Sequence, residues 1–248
     1  MKRVLAAVMA ILLLVVVNSI SIAQVLETDG ESRATYRVKK LKKPLIIDAN
    51  WNKSQWRSIK SVEVNNFIRE KPEFKPDVKA KMMYNSENLY VIFKVEDKFV
   101  RSVTTQINGP VWKDSAVEFF FSPNISNASY FNLEVNCGGT ALLGYNTTPR
   151  VKPELQDIEA IEIAHSLPAV VDPEIKDAVT WTIEYRIPLA MLRKYSAVTE
   201  PKKGVKWRAN FYKIAEINSN PHHASWSPIL HPKPTFHLPQ YFGEIEFR

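Results

Sequence analysis

The feature that most limits what this chain can fold into is a strict two-residue alternation that keeps returning in short runs. It is clearest over 130–137, where Tyr130, Asn132, Glu134 and Asn136 alternate with Phe131, Leu133, Val135 and Cys137. Successive side chains of a strand point to opposite faces, so this pattern gives one face to a core and leaves the other wet. Residues 78–84 and 89–96, joined by a turn at 85–88, read as a hairpin because β-branched and aromatic residues flank a turn-forming cluster. Strands are also expected over 117–121, 205–214 and 242–247, and over 180–187, which alternates around Trp181, Ile183, Tyr185 and Ile187. Pro188 stops that last strand and suits the start of two helical turns over 189–195. Many short strands with almost no long helical period predict an all-β fold, a two-sheet antiparallel β-sandwich, with a closed β-barrel as the alternative. Phe93, Phe119, Phe121, Leu133, Val135 and Ile183 fall on apolar faces and are the expected core.

At the N-terminus, Lys2 and Arg3 precede an apolar run over 4–17 and a small-x-small triplet, Ser21-Ile22-Ala23. This is the layout of a secretory signal peptide over 1–23. The run is shorter than the roughly 20 apolar residues a bilayer-spanning helix needs. The chain is therefore expected to be secreted or periplasmic, exported through a cleaved signal, with no membrane span after cleavage. Residues 24–35 are polar and patternless and read as a mobile leader, and 36–248 is a length that suits one large all-β domain. The formal charge is +7, but the basic residues are scattered, Lys39, Lys40, Lys42 and Lys43 being the densest group. A nucleic-acid binder concentrates such residues on one face, so nucleic acid is not an expected partner. Cys137 is the single cysteine and falls on the apolar side of its strand, which reads as a buried, inert thiol.

Two segments stand out for chemistry. In 109–121, Trp112 follows Gly109-Pro110 and precedes Asp114 and Glu118 on what reads as the adjoining strand. Sugar rings present C–H faces that pack on aromatics and hydroxyls that need charged or amide partners, so this grouping suits a sugar; alternatively, Trp112 caps the core. The stretch 218–241 holds five of the sixteen prolines, four of the five histidines, and Trp226, Phe236 and Tyr241, and reads as an ordered binding loop. Its His222, His223, His231 and His237 raise a metal or haem site as the rival function, although their spacings match no zinc pattern and packing or capping is the plainer role. Asp48, Glu96 and Asp97 are oxygen donors of the type a structural calcium would use. A glycoside hydrolase is a further rival, needing two carboxyls roughly 5 to 9.5 Å apart. Asp114 and Glu118, four strand steps apart, would lie about 13 Å from each other, which leaves Asp97 with Glu118 as the pair able to meet. No Gly-x-Ser-x-Gly, His-Glu-x-x-His, Cys-x-x-Cys or Gly-rich phosphate loop occurs, so no catalytic residue is expected.

The chain resembles the family 9 carbohydrate-binding modules and their exported relatives, from about Tyr36 to Arg248. The resemblance rests on Ile47-Asp48-Ala49 with Trp51 and Trp56, similar to an opening Ile-Asp-Gly with a Trp shortly after, and on the segments 88–97 and 112–121. It closes on Ser225-Trp226-Ser227-Pro228 and 239–243. It implies a sandwich that binds a saccharide without catalysis, beside a partner glycoside hydrolase. In that family two aromatics hold the terminal sugar, which here implies Trp112 and Phe236, with Tyr241 as the fallback for the second ring. Acidic residues match Glu118 and Asp97, and a strand amide falls near Asn210 or Tyr212. A sugar-binding arginine of the family falls at Glu134, and a carboxylate acceptor cannot imitate that donor fork. The rings of Trp112 and Phe236 are accordingly expected to be exposed and to face each other across an open cleft. Glu118 and Asp97 would lie at its base, with 218–241 as one wall.

Overall fold

The alternating segments become strands where the sequence places them. The computed structural model describes residues 33–68, 71–233 and 235–248; the expected signal segment 1–23 and most of the leader lie outside the described residues. In chain order the strands are β1 (Thr35–Lys40), β2 (Val62–Glu63), β3 (Asn66–Phe67), β4 (Asp77–Tyr84), β5 (Asn88–Asp97), β6 (Val100–Ser102), β7 (Ala116–Ser122) and β8 (Tyr130–Asn136). They continue with β9 (Ala141–Asn146), β10 (Glu162–His165), β11 (Val171–Ile175), β12 (Val179–Pro188), β13 (Lys206–Ala215), β14 (His222–Ser225) and β15 (Gly243–Phe247). Three short helices, α1 (Ser54–Arg57), α2 (Leu155–Glu159) and α3 (Leu189–Arg193), fill connections. Among the described residues no helix is long and apolar enough to cross a membrane.

Apart from β6 and β11, which pair antiparallel as a separate small sheet, the strands form one continuous sheet folded into two layers. The front layer runs β9-β8-β7-β13-β15-β1 and the back layer β10-β12-β5-β4. Most pairs are antiparallel, as expected, but β1 is an exception that the alternation does not reveal. Its first four residues pair parallel with β15 and its last two pair parallel with β4, so one strand joins the two layers at a corner. β9 and β10 end the path, so the sheet stays open rather than closing as a barrel. The β4–β5 turn forms because the side chain of Asn85 accepts from the backbone N–H groups of Glu87 (2.9 Å) and Asn88 (2.7 Å).

Between the layers lies one apolar core that includes all six expected residues, each fully buried. Phe119 stacks on Phe211 at 4.8 Å and on Phe121 at 4.7 Å, and Phe121 stacks on Phe131 at 5.4 Å. Such pairs add about 0.5–1.5 kcal/mol each beyond the area they bury. Cys137 is buried there, and burial pushes its thiol up to about 12, which keeps it protonated and unreactive.

The outer faces of both layers differ from the simple expectation of one dry and one wet side. Every residue of β7 and β8 is buried, including Asn132, Glu134 and Asn136, which the alternation puts on a wet face. The reason is a roof. Ile229, Phe236 and Phe242 pack with Phe120, Tyr130 and Tyr212 as a second apolar cluster over the front layer. On the back layer, Ile47, Trp56 and Ile59 pack on Met83, Tyr90 and Ile92 as a third.

Candidate functional site

Beneath the roof the front layer presents two rows of side chains that strand register sets side by side. Tyr212, Glu118, Glu134 and Leu142 are successive cross-strand neighbours, and so are Asn210, Phe120, Asn132 and Gly144. The roof does not fill the space above them. A cavity of about 480 Å³ remains, with Glu118, Glu134 and Phe120 on its floor and Trp112, Phe236 and Arg150 among its walls. That volume is within the range of about 300–1,000 Å³ usual for small-molecule sites. Gly144 helps to keep it open, because a Cβ there would collide with Asn132 Oδ1 and lie 2.8 Å from Arg150 Nη2.

Two carboxylates directly opposite one another are unfavourable unless something neutralises them. Glu118 is 2% exposed, and its Oε2 has no hydrogen-bond partner among the described residues. Burial, then the neighbouring Glu134 and Glu216, hold its carboxyl well above the usual range. Glu134 Oε1 accepts from Asn132 Nδ2 at 2.8 Å; burial nevertheless pushes its carboxyl up to about 7, with Glu216 adding to the rise and Arg150 opposing it. The floor is thus an acidic pair short of donors.

Trp112 sits on a 3₁₀ turn, Val111–Lys113. The chain turns tightly into it, since a Cβ on Gly109 would come within 2.8 Å of Gln106 O. Asp114 precedes β7 rather than lying on it, and anchors the turn by accepting from Thr104 N and Asn136 Nδ2, both at 2.9 Å. The indole remains partly exposed, packed against the roof cluster.

Phe236 also lines the cavity but differs from the expected exposed ring. It is 5% exposed and stacks on Tyr212 at 4.1 Å and 13°. Tyr212 is therefore its support, and the Tyr212 hydroxyl donates to Phe236 O at 3.3 Å. Asn210 is likewise structural: its side chain donates to Ser227 O (3.0 Å) and accepts from Ser227 N (2.8 Å), tying the roof to β13. Tyr241 does not line the cavity; its hydroxyl donates to Leu230 O at 2.7 Å. Trp226 is buried against Tyr36 and Phe211 and belongs to the core.

Asp97 is not at the base of the cavity. Along β5 it follows Phe93 and Val95 inward, and its Oδ2 lies 3.2 Å from the fully buried Lys213 Nζ. Lys213 donates to His222 Nε2 at 2.9 Å, while His222 Nδ1 donates to Asn220 O at 2.7 Å, so His222 is a neutral acceptor whose pKa burial pushes down to about 2. Asp97, reaching inward from the back layer, and Glu118, under the roof, therefore lie on opposite sides of the front layer and cannot act as a pair.

The metal candidates are dispersed. Asp48 pairs with Lys53 at 2.7 Å and Glu96 with Lys94 at 2.8 Å. His231 contacts its own loop at Lys233, His237 Nδ1 meets Tyr130 Oη at 2.8 Å, and His223 Nε2 lies 3.5 Å from Glu216. Among the described residues no group of three or more His, Cys, Asp and Glu is placed to hold a metal. His223 and His237 instead line the cavity, as do Arg150, Lys152 and Glu216, which the sequence reading did not single out.

A sequence profile of Carbohydrate-binding family 9 matches residues 43–247. No curated protein matches the chain. Among solved structures, a Bacteroides uniformis protein provisionally assigned to carbohydrate binding is similar, with 26% identity and a TM-score of 0.78, over 88% of this chain and all of that one. A family 9 carbohydrate-binding module from Caldicellulosiruptor kristjanssonii in complex with cellotriose shares the fold, with 16% identity and a TM-score of 0.61 over 87% of this chain and 94% of that one. The same holds for such a module from that organism in complex with glucose, with 16% identity, a TM-score of 0.60, and 86% and 95% coverage.

Proposed function

The chain belongs to Carbohydrate-binding family 9, and from that premise we propose that it holds a saccharide, without changing it covalently, in the cavity between Trp112 and the Glu118–Glu134 floor. One observation carries the placement: Glu118 Oε2 is buried without a partner among the described residues, in a cavity that the partly exposed Trp112 also lines. A buried unpaired acceptor costs about 1–3 kcal/mol or more when charged, and a ligand hydroxyl or other donor would remove that cost. The indole supplies the apolar face on which the C–H side of a sugar ring packs. Phe236, backed by Tyr212, forms wall rather than a second open platform, so stacking is mainly one-sided.

The same geometry argues against hydrolysis. Glycosidases flank the scissile bond with their carboxyls, whereas Glu118 and Glu134 are neighbours on one floor and would meet the same side of a ligand. In this reading the chain is exported through the segment 1–23 and serves beside a glycoside hydrolase acting on the same polysaccharide. A saccharide array probed with the purified protein tests the binding, and an assay for new reducing ends on the bound sugars tests the absence of turnover. Binding without new ends is expected; turnover, or silence across the array, overturns the reading.

A further inference from the structure

Resting on that saccharide site, the geometry points to a narrower ligand class: we propose that the cavity prefers a sugar carrying a free amine, bound as its ammonium between Glu118 and Glu134. The two carboxylates are direct cross-strand neighbours, both at least 95% buried, on the floor of one cavity. Among the described residues Glu118 Oε2 has no partner, and Glu134 has a side-chain donor, Asn132, on Oε1. Two adjacent carboxyls that share a single side-chain donor are complemented by a group that is itself cationic and rich in N–H donors. A neutral hydroxyl gives one donor and no charge; an ammonium gives three donors and cancels one negative charge.

Among the described residues, the cations nearest the floor do not fill this role. Lys213 is buried on the opposite face of β13 and is engaged by Asp97 and His222. Arg150 and Lys152 line the cavity but are exposed, where solvent and salt screen their charge. Exposed Glu216 adds a third carboxylate at the mouth. Aromatic faces at Trp112 and Phe120 also favour a cationic ligand over a neutral one. The raised pKa values of Glu118 and Glu134 fit a site that holds a proton when empty and exchanges it for the ligand's charge.

The test uses three oligosaccharides with the same β-1,4-linked glucose skeleton, differing at carbon 2: a cello-oligosaccharide, a fully deacetylated glucosamine oligomer and its N-acetylated counterpart. Calorimetry at near-neutral pH should show the glucosamine oligomer binding about ten to a hundred times more tightly than either neutral one. In Glu134→Gln that ratio should collapse towards one, while the same variant's melting curve reports that it folds. Equal or weaker binding of the glucosamine oligomer, with the neutral sugars bound, overturns this inference and leaves the saccharide site intact. So does a ratio that Glu134→Gln leaves unchanged, which would place the amine elsewhere. Silence for all three removes the saccharide site and this inference together.

Discussion

The outer faces of the two layers use the same device, a covering segment over buried glutamate, and finish it differently. On the back layer, Glu184 is fully buried and fully partnered: Oε1 accepts from Trp56 Nε1 at 2.7 Å, and Oε2 from the backbone N–H groups of Asp48 (2.9 Å) and Ala49 (2.8 Å). Lys53 Nζ reaches both oxygens, at 2.8 and 2.7 Å. The opening segment that carries the family resemblance thus delivers donors to both oxygens of one carboxylate. On the front layer, Glu118 and Glu134 lie under a roof that leaves a cavity; Glu134 Oε1 has Asn132 as a donor, and Glu118 Oε2 has none among the described residues. Complete satisfaction fits a structural role for Glu184, and an unpartnered buried oxygen beside a cavity is what the proposed binding role for Glu118 explains.

The contrast can be broken most forcefully at Glu184. Glu184→Gln puts an amide NH₂ among donors and removes the charge facing Lys53, so stability should fall by about 3–5 kcal/mol in urea unfolding. A loss under about 1 kcal/mol would mean that the back face is not held by this carboxylate. Next in size is Trp112→Ala. Binding of any sugar found on the array should weaken by about ten times or more, a loss of ~1.4 kcal/mol, while unfolding free energy changes by less. If the variant unfolds instead, the indole is core and the cavity has lost its platform.

The same chemical change made in the cavity should have the opposite sign. Glu134 titrates near 7 in the folded chain against an ordinary glutamate value in the unfolded one. Between those values the folded state binds more protons, so stability is fully present at low pH and is lost as pH rises through about 7. Glu134→Gln cannot titrate, so at pH above that value it should be more stable than the parent by about 1–2 kcal/mol, the advantage vanishing at acid pH. Glu118, Glu216, Arg150 and Asn132 face the same site and are unchanged in this comparison. A uniform loss at every pH would make Glu134 structural, like Glu184. The smallest effect belongs to Ala49, whose φ of 59° is a left-handed conformation that glycine adopts without strain. Ala49→Gly should raise stability by about 0.5–1 kcal/mol, measured by the same urea titration, and a loss would show that the turn holds no such strain.

How far these features were legible follows from what alternation encodes. Parity along a strand places Leu133 and Glu134 on opposite faces, and it also sends Asp97 inward with Phe93 and Val95, against the role the resemblance suggests. The near-continuous apolar run of β7 already implies that both of its faces are covered, which is why Phe120 meets the roof while Phe119 and Phe121 meet the core. Parity says nothing about which strands pair, so the parallel seams of β1 were not readable. Nor were Arg150, Lys152 and Glu216, which reach the cavity from segments without a period. Phe236 is what the family resemblance implies from its place shortly before Phe242-Gly243, but its burial and its stacking on Tyr212 depend on a roof fold that local sequence does not specify.

The most direct measurement is a crystal structure of the protein soaked with the tightest-binding sugar from the array. A sugar ring lying on the Trp112 indole, with a donor within hydrogen-bond distance of Glu118 Oε2, is the predicted result. Density for the sugar on any other face, with the cavity holding only water, would contradict the account.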